Sequence, residues 1–283
     1  MAVFHNSKLN ESLLKEGYVI ISLLNQDDIN LLETFYYLPE NEGYTNVFTT
    51  YACSSFEYKD KVDALLKEVI GKKLKTLFTD EMIPFWGNFM MKIPSENSNM
   101  PLHTDWQYVD ENQHISLNVW VPFTDTNLEN GALHVVPKSH LYCNYPRGMN
   151  LPRYYEKNEE DIKKKFGKAL YLKKGEAVIY DHRLLHYSFA NKSNTNRLAA
   201  TLVYVPNKAK IALYFRNNTT EKTHAFEIEN ATSLIQSNFY ELPKDYKNKK
   251  EVNLPDANDI SVFDDLNKHL QKKLSFLNLF KLK

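Results

Sequence analysis

Apolar and polar positions divide the chain into a helical first third and a strand-rich middle. The run Tyr18-Val19-Ile20-Ile21-Ser22-Leu23-Leu24 predicts a short buried strand. Asn25 then suits a helix N-cap, with Asp27 and Asp28 in the first turn, where the helix dipole favours negative charge. Ile29, Leu31, Leu32 and Phe35 continue that helix at helical spacing. A second helix is expected from about 58 to 77, with Val62, Leu65, Leu66, Val69 and Leu74 as its apolar stripe.

From Pro84 onward the pattern changes to short strands, over 85–93, 114–122, 131–136, 177–180 and 198–205. Such spacing predicts a mainly β fold, an antiparallel sandwich or barrel with the N-terminal helices on one outer face. Side chains alternate faces along a strand. Ile115, Leu117, Val119 and Val121 therefore share an apolar face, while Ser116, Asn118 and Trp120 share a mixed one suited to line a cavity. Trp86, Asn88, Met90 and Lys92 likewise share a face, which makes Asn88 and Trp120 candidate pocket residues.

The polar segment 144–168, with Arg147, Arg153, Tyr154 and Tyr155, interrupts the strand series and ends in a charged helical stretch. It is either a binding loop or a solvated excursion. The last 77 residues are lysine-rich, with a helix expected from 260 to 277. With no repeat or evident linker, 1–283 is expected to be a single domain: a helical part to about 83, a core over about 84–206, and a C-terminal extension over 207–283.

Composition narrows the function. Lys+Arg and Asp+Glu are both 35, giving zero formal net charge, so no basic surface for nucleic acid is indicated. No stretch approaches the length of a membrane helix, and the N-terminus lacks a secretory pattern. Cys53 and Cys143 lie in unrelated contexts, so a reduced, cytoplasmic protein is expected. Eight glycines and no phosphate-loop motif argue against nucleotide chemistry.

The candidate chemistry is a metal site. His103 and Asp105 are two residues apart and can both reach one ion from a strand end. Two histidines and one carboxylate on one face of an ion leave the opposite positions open, as in non-haem iron(II) oxygenases. The second histidine is His186 or His182; Ser188 two residues on and Arg197 eleven residues on favour His186, while His182 is expected nearer a charged Asp181-Arg183 rim. Arg197 opens a strand, and its planar fork suits the distal carboxylate of 2-oxoglutarate. Ser188 can add a hydroxyl to the same carboxylate.

Beyond these residues the chain resembles the phytanoyl-CoA dioxygenase-like family of Fe(II)/2-oxoglutarate-dependent oxygenases. The matching residues are Pro101-Leu102-His103-Thr104-Asp105, Trp120-Val121-Pro122-Phe123, Asn130-Gly131-Ala132-Leu133 through Pro137-Lys138-Ser139-His140, Leu185-His186-Tyr187-Ser188 and Arg197. The resemblance covers about residues 10–206. It implies a double-stranded β-helix, the jelly roll shared with cupins, with His103, Asp105 and His186 as catalytic metal ligands. Arg197 and Ser188 become holders of the co-substrate and Trp120 a wall of its pocket, with Asn88 beside them. His140 becomes a structural turn residue. Fe(II), 2-oxoglutarate and O2 are implied, with hydroxylation of a small molecule such as an amino acid or specialised metabolite and release of succinate and CO2. Asp105 stands where related halogenases carry a small residue, which favours hydroxylation over halogenation and leaves desaturation or ring formation open. Thr104 stands where many relatives have glutamine, and Ala199 where some have a serine, so carboxylate binding leans on Ser188 or Thr201. The competing expectations are a jelly-roll metal enzyme that uses no keto acid and a non-catalytic jelly-roll binding protein.

Overall fold

In the computed structural model, residues 2–36, 46–236, 245–256 and 261–269 are described. The chain opens with α1 (Ser7–Glu16), β1 (Tyr18–Ser22), α2 (Gln26–Tyr36) and β2 (Val47–Thr49). Helix α3 (Phe56–Leu66) continues through a π-helical turn, Lys67–Gly71, into the short α4 (Lys72–Leu74). Asn25 and Asp28 cap α2 reciprocally, each side chain accepting the other's amide at 2.9 and 2.8 Å.

Strands β3 (Met82–Lys92), β4 (Met100–His103), β5 (Leu117–Pro122), β6 (Leu133–Val135), β7 (Lys168–Ala169), β8 (Glu176–Asp181), β9 (His186–Ser188) and β10 (Arg197–Pro206) follow, with α5 (Glu159–Phe166) between β6 and β7. They form a six-stranded sheet, β1-β8-β5-β10-β3-β2, and a four-stranded sheet, β4-β9-β6-β7. All their pairings are antiparallel. The expected jelly roll is the fold. The larger sheet takes in β1 and β2, so the core extends N-terminal of residue 84.

Alternation along the strands separates two environments. Leu117, Val119, Val121, Phe89, Ala200 and Leu202 turn towards Leu32, Tyr58, Val62 and Leu66 of the helices. Asn118, Trp120, Asn88, Met90, Thr201 and Arg197 turn the other way, into the space between the sheets. A one-residue slip of β5 would exchange these sets, so burial of the apolar face fixes which side chains reach the site.

The tail departs from expectation. It forms a third sheet of β11 (Ile211–Arg216), β12 (Thr223–Ile228) and β13 (Tyr246–Glu251), with α6 (Ala231–Ile235) between the last two strands. Ile211, Leu213, Ile228 and Leu234 share a buried cluster with Tyr51, Trp86 and Tyr108. The expected terminal helix is present over 262–269; residues 260 and 270–277 lie outside the described residues. Val262 and Leu266 pack with Cys143 and with Tyr155 and Ile162 of the inserted segment.

Gly175 closes the turn before β8 at φ +79°, and a Cβ there would lie 2.3 Å from the Leu24 carbonyl oxygen. Its own carbonyl accepts the amides of Leu23 and Leu24 at 3.0 and 2.9 Å, tying the end of β1 to β8. Gly175→Ala should therefore cost about 2 kcal/mol or more of unfolding free energy, read by urea denaturation. A midpoint equal to that of the wild type would refute this account of the turn.

Candidate metal centre

β4 and β9 run antiparallel with His103 directly opposite His186, which brings the two imidazoles to 4.1 Å between ring centroids. Each Nδ1 lies against a carbonyl two residues back, Pro101 at 2.8 Å and Leu184 at 2.9 Å. A carbonyl only accepts, so both Nδ1 atoms carry the proton and both Nε2 lone pairs are left for a metal. Asp105 follows β4, its amide donating to the His182 carbonyl at 3.0 Å. Its Oδ1 lies 3.6 Å from His186 Nε2. One ligand atom from each of His103, Asp105 and His186 falls within 4.8 Å of the others. Two imidazoles and a carboxylate gathered this closely fit a divalent first-row metal.

The other carboxylate oxygen, Oδ2, accepts from Asn118 Nδ2 at 3.0 Å and lies 4.0 Å from His182 Nε2. Asn118 also donates to the Tyr180 hydroxyl at 3.0 Å, and Tyr180 lies 3.4 Å from His186 Nε2. Burial pushes the Asp105 carboxyl up, but His186, His182, His103 and the Asn118 amide outweigh it and hold it at about 2. Burial holds His103 down at about 4, helped by His186. The centre thus sets an ionised Asp105 beside a neutral His103 at neutral pH, ready for a cation.

His182 differs from expectation. It is not at a charged rim but fully buried, with Nδ1 at 2.8 Å from the Ser116 hydroxyl. Its Nε2 has no hydrogen-bond partner among the described residues. It supports the site from behind Asp105 and is not one of the three clustered ligands.

A cavity of about 60 Å³ leads from the three ligands to Arg197 and is lined also by Trp120, Ser188, Leu133 and Tyr180. Arg197 is buried; it donates to the Gly131 carbonyl at 2.6 Å, and its guanidinium lies 5.1 Å from the Trp120 ring centroid. Its Nε has no partner among the described residues. Lys92, opposite Arg197 in the β3–β10 ladder, is fully buried and donates to the Ser188 hydroxyl and the Phe189 carbonyl, both at 2.6 Å. No carboxylate among the described residues forms an ion pair with either cation. Burial, with Arg197 beside it, holds the Lys92 ammonium down at about 6. Burial lowers Arg197 to about 10. Gly131, at φ +72°, makes room for this pair, since a Cβ there would lie 2.9 Å from Lys92 Cδ.

Among the residues singled out in the sequence, His103, Asp105, His186, Arg197, Ser188 and Trp120 line this one cavity. Asn88 and Thr201 do not. They bond to each other at 2.5 Å and line a second, larger cavity on the other side of the ligands. Sequence reasoning placed Lys92 on the inward face without giving it a role. Its only signal was a lysine in phase with Asn88 and Met90 on a strand otherwise apolar.

The inserted segment reaches the metal loop. Arg147 is buried, forks onto Glu111 at 2.6 and 2.8 Å, and donates from Nε to the Asp105 carbonyl at 3.1 Å. Glu159 accepts the Leu102 amide at 3.0 Å, and Arg153 donates to the Leu102 carbonyl at 3.4 Å. These side chains satisfy the outer edge of β4, where no strand among the described residues pairs.

A model of the phytanoyl-CoA dioxygenase (PhyH) family matches residues 40–199, more than half of the chain, and the chain belongs to that family. The phytanoyl-CoA dioxygenase domain-containing protein 1 homolog of Dictyostelium discoideum is 26% identical over 149 residues. That match covers 50% of this chain and 52% of the relative, so the chain spans about half the length of the curated relative it matches. The same fold occurs in the alpha-ketoglutarate-dependent carbocyclase SnoK from nogalamycin biosynthesis, with TM-score 0.52 and 18% identity, covering 73% of this chain and 86% of that one. It occurs in the epimerase SnoN in complex with Fe3+, alpha-ketoglutarate and a nogalamycin, with TM-score 0.51 and 18% identity over 72% and 84% of the two chains. HygX from Streptomyces hygroscopicus, with nickel, 2-oxoglutarate and hygromycin B bound, has TM-score 0.52 and 14% identity over 72% and 88%.

Two outcomes test this geometry. Arg147→Met leaves Glu111 buried without its partner and should cost about 3–5 kcal/mol in chemical denaturation, with less cost in a Glu111→Leu background. Equal costs in both backgrounds would show that the pair is not coupled. Lys92 is protonated in the unfolded chain up to about pH 10.4 but neutral above about 6 in the fold. The unfolded state therefore binds the extra proton in that window, and stability rises with pH across it. The unfolding free energy of wild type minus that of Lys92→Met should climb by up to about 1.4 kcal/mol per pH unit between these limits. A difference independent of pH would assign Lys92 an ordinary pKa.

Proposed function

We propose that the chain is an Fe(II)- and 2-oxoglutarate-dependent dioxygenase that hydroxylates an unactivated C–H bond of a small molecule, releasing succinate and CO2. One observation carries this reading: a His-Asp-His cluster and a buried arginine without an acidic partner line the same small cavity. A metal cluster alone fits many hydrolases and binding proteins. A deep cation facing it calls for an anion of short reach, and a keto dicarboxylate can bridge the two.

In this reading His103, Asp105 and His186 hold the iron through Nε2, Oδ1 and Nε2. When bound, the iron supplies the redox chemistry with dioxygen that the side chains cannot perform. Asn118 keeps the second oxygen of Asp105 turned aside, so the carboxylate presents one oxygen to the ion. Arg197 receives the distal carboxylate of the co-substrate, with the Ser188 hydroxyl and the Lys92 ammonium beside it. An arriving carboxylate raises the Lys92 pKa and so draws in a proton at neutral pH. Trp120, stacked on the guanidinium, fixes its plane and excludes water. We also read the chain as a single folding unit, because tail residues such as Leu213 and Leu234 are buried against Trp86 and Tyr108 of the core. No helix among the described residues is long and apolar enough to cross a membrane.

Anaerobic titration with Fe(II) and 2-oxoglutarate should develop the visible charge-transfer band of a keto acid chelate. Asp105→Ala should abolish the band. Arg197→Met should retain it but weaken 2-oxoglutarate binding by about 10- to 100-fold, the worth of a charge-assisted hydrogen-bond pair. A wild-type protein that binds iron but gives no band with the keto acid would overturn the proposal.

A further inference from the structure

We propose that the substrate of this site is an electrically neutral, compact molecule, largely hydrocarbon and carrying one hydroxyl or carbonyl group; this rests on the oxygenase reading above. The larger cavity, about 230 Å³, lies over His103 and Asp105 on the side away from Arg197. Its walls are built from Tyr51, Trp86, Trp106, Tyr108, Met90 and Val203. Among the described residues, no lysine, arginine or glutamate lines it, and its one carboxylate, Asp105, is committed to the metal cluster.

The basic side chains of the surrounding elements are engaged elsewhere. Arg147 is forked onto Glu111, and Arg153 is paired with Glu156 and Glu159. Lys59 lies across the far side of Tyr51, its Nζ 5.3 Å from the ring centroid, and lines a separate void of about 10 Å³. A carboxylate entering the larger cavity would lose water and meet no lysine or arginine on the described wall, and an ammonium would meet only Asp105, which serves the metal cluster, so either is unfavourable in proportion to its burial. The same composition leaves the phosphates of an acyl-CoA without partners there.

The polar groups present suit a neutral ligand. Asn88 and Thr201 sit opposite each other in the β3–β10 ladder and bond at 2.5 Å, a paired amide and hydroxyl on a wall that also carries Thr49, Thr104, Asn118 and His182. Such a pair reads one hydroxyl or carbonyl and discriminates little by charge. The aromatic wall is also held in place from behind. Tyr51, Trp86, Tyr108 and Val203 share a cluster with Ile211, Leu213 and Leu234 of the tail. The rings are packed from behind, which preorganises them for a ligand.

The test uses the metal-free full chain carrying Asp105→Asn, which removes the one carboxylate of the described wall, and tryptophan fluorescence, since Trp86 and Trp106 belong to that wall. The probes are 2-phenylethanol, phenylacetate and 2-phenylethylamine, which share a ring and differ in charge. The neutral probe should bind at least about tenfold more tightly than either ion. Val203→Phe, which fills the cavity, should remove that binding; if this variant does not fold, Thr49→Phe at a half-buried position of the same wall serves instead. Carboxylate binding that survives the filling variant belongs to Arg197 and is subtracted. Filling-sensitive binding of either ion as tight as that of the alcohol would overturn the proposal, and so would absence of filling-sensitive binding by the alcohol. Because no iron is present, these outcomes are independent of the chelate band, whose absence would strike the oxygenase reading instead.

Discussion

The antiparallel pairing of β4 with β9 is the constraint on which the site depends. It sets His103 against His186 across one rung of the ladder, where side chains on a common face come closest. A slip of one residue would turn one imidazole to the opposite face and dissolve the cluster. Yet β4 has only four residues and, among the described residues, no strand on its outer side. Its register is secured by the inserted segment, which supplies side-chain partners for the Leu102 amide and carbonyl and a guanidinium for the Asp105 carbonyl. The insertion is thus a brace for the metal loop. The buried Arg147–Glu111 pair makes that brace specific, because only a fork held in plane reaches Asp105 and the Cys143 and Tyr145 carbonyls together.

Charge is then divided along the axis of the site. Asp105 sits among imidazoles at one end, while Arg197 and Lys92 sit without a carboxylate at the other. The two basic side chains lie in adjacent strands, opposite each other in register. Burial first, and Arg197 beside it, hold the Lys92 ammonium down at about 6, so the two do not both carry charge at neutral pH. An entering anion would favour the charged forms of both. The three-layered consequence is an anion-seeking cavity, a cation-seeking cluster, and a larger cavity that seeks neither.

How much of this the sequence disclosed follows from the range of each interaction. Period-two alternation is local, so it separated Asn118 and Trp120 from Val119 and Val121 correctly. The spacing of His103, Asp105, His186 and Arg197 is regular enough to be read before any coordinates. Contacts between side chains and distant carbonyls leave no such trace. Arg147 meets Glu111 from 36 residues away and the Asp105 backbone from 42, and nothing in either neighbourhood marks the pair. His182 was misplaced because Asp181 and Arg183 flank it with charge; in the fold those two pair with each other and leave the imidazole buried. The tail sheet was missed because β13, Tyr246–Glu251, is exposed at every position and carries lysines, as an unpaired edge does to avoid further pairing.

The division between shared chemistry and private recognition follows the same lines. The His-Asp-His cluster, Arg197, Ser188 and Trp120 all fall within residues 40–199, the stretch matched to the family. The larger cavity does not fall wholly within it. Thr201 and Val203 lie beyond that stretch, and the cluster behind Tyr51, Trp86 and Tyr108 is supplied by residues 211–235. Aromatic rings on a cavity wall keep their orientation only while something fills the space behind them. A chain sharing only the matched stretch would keep the ligands and the anion-seeking end but lose the packing that holds this wall. On the proposed reading, the choice of substrate depends on the tail as much as on the rings that line the cavity, although none of the described tail residues lines it.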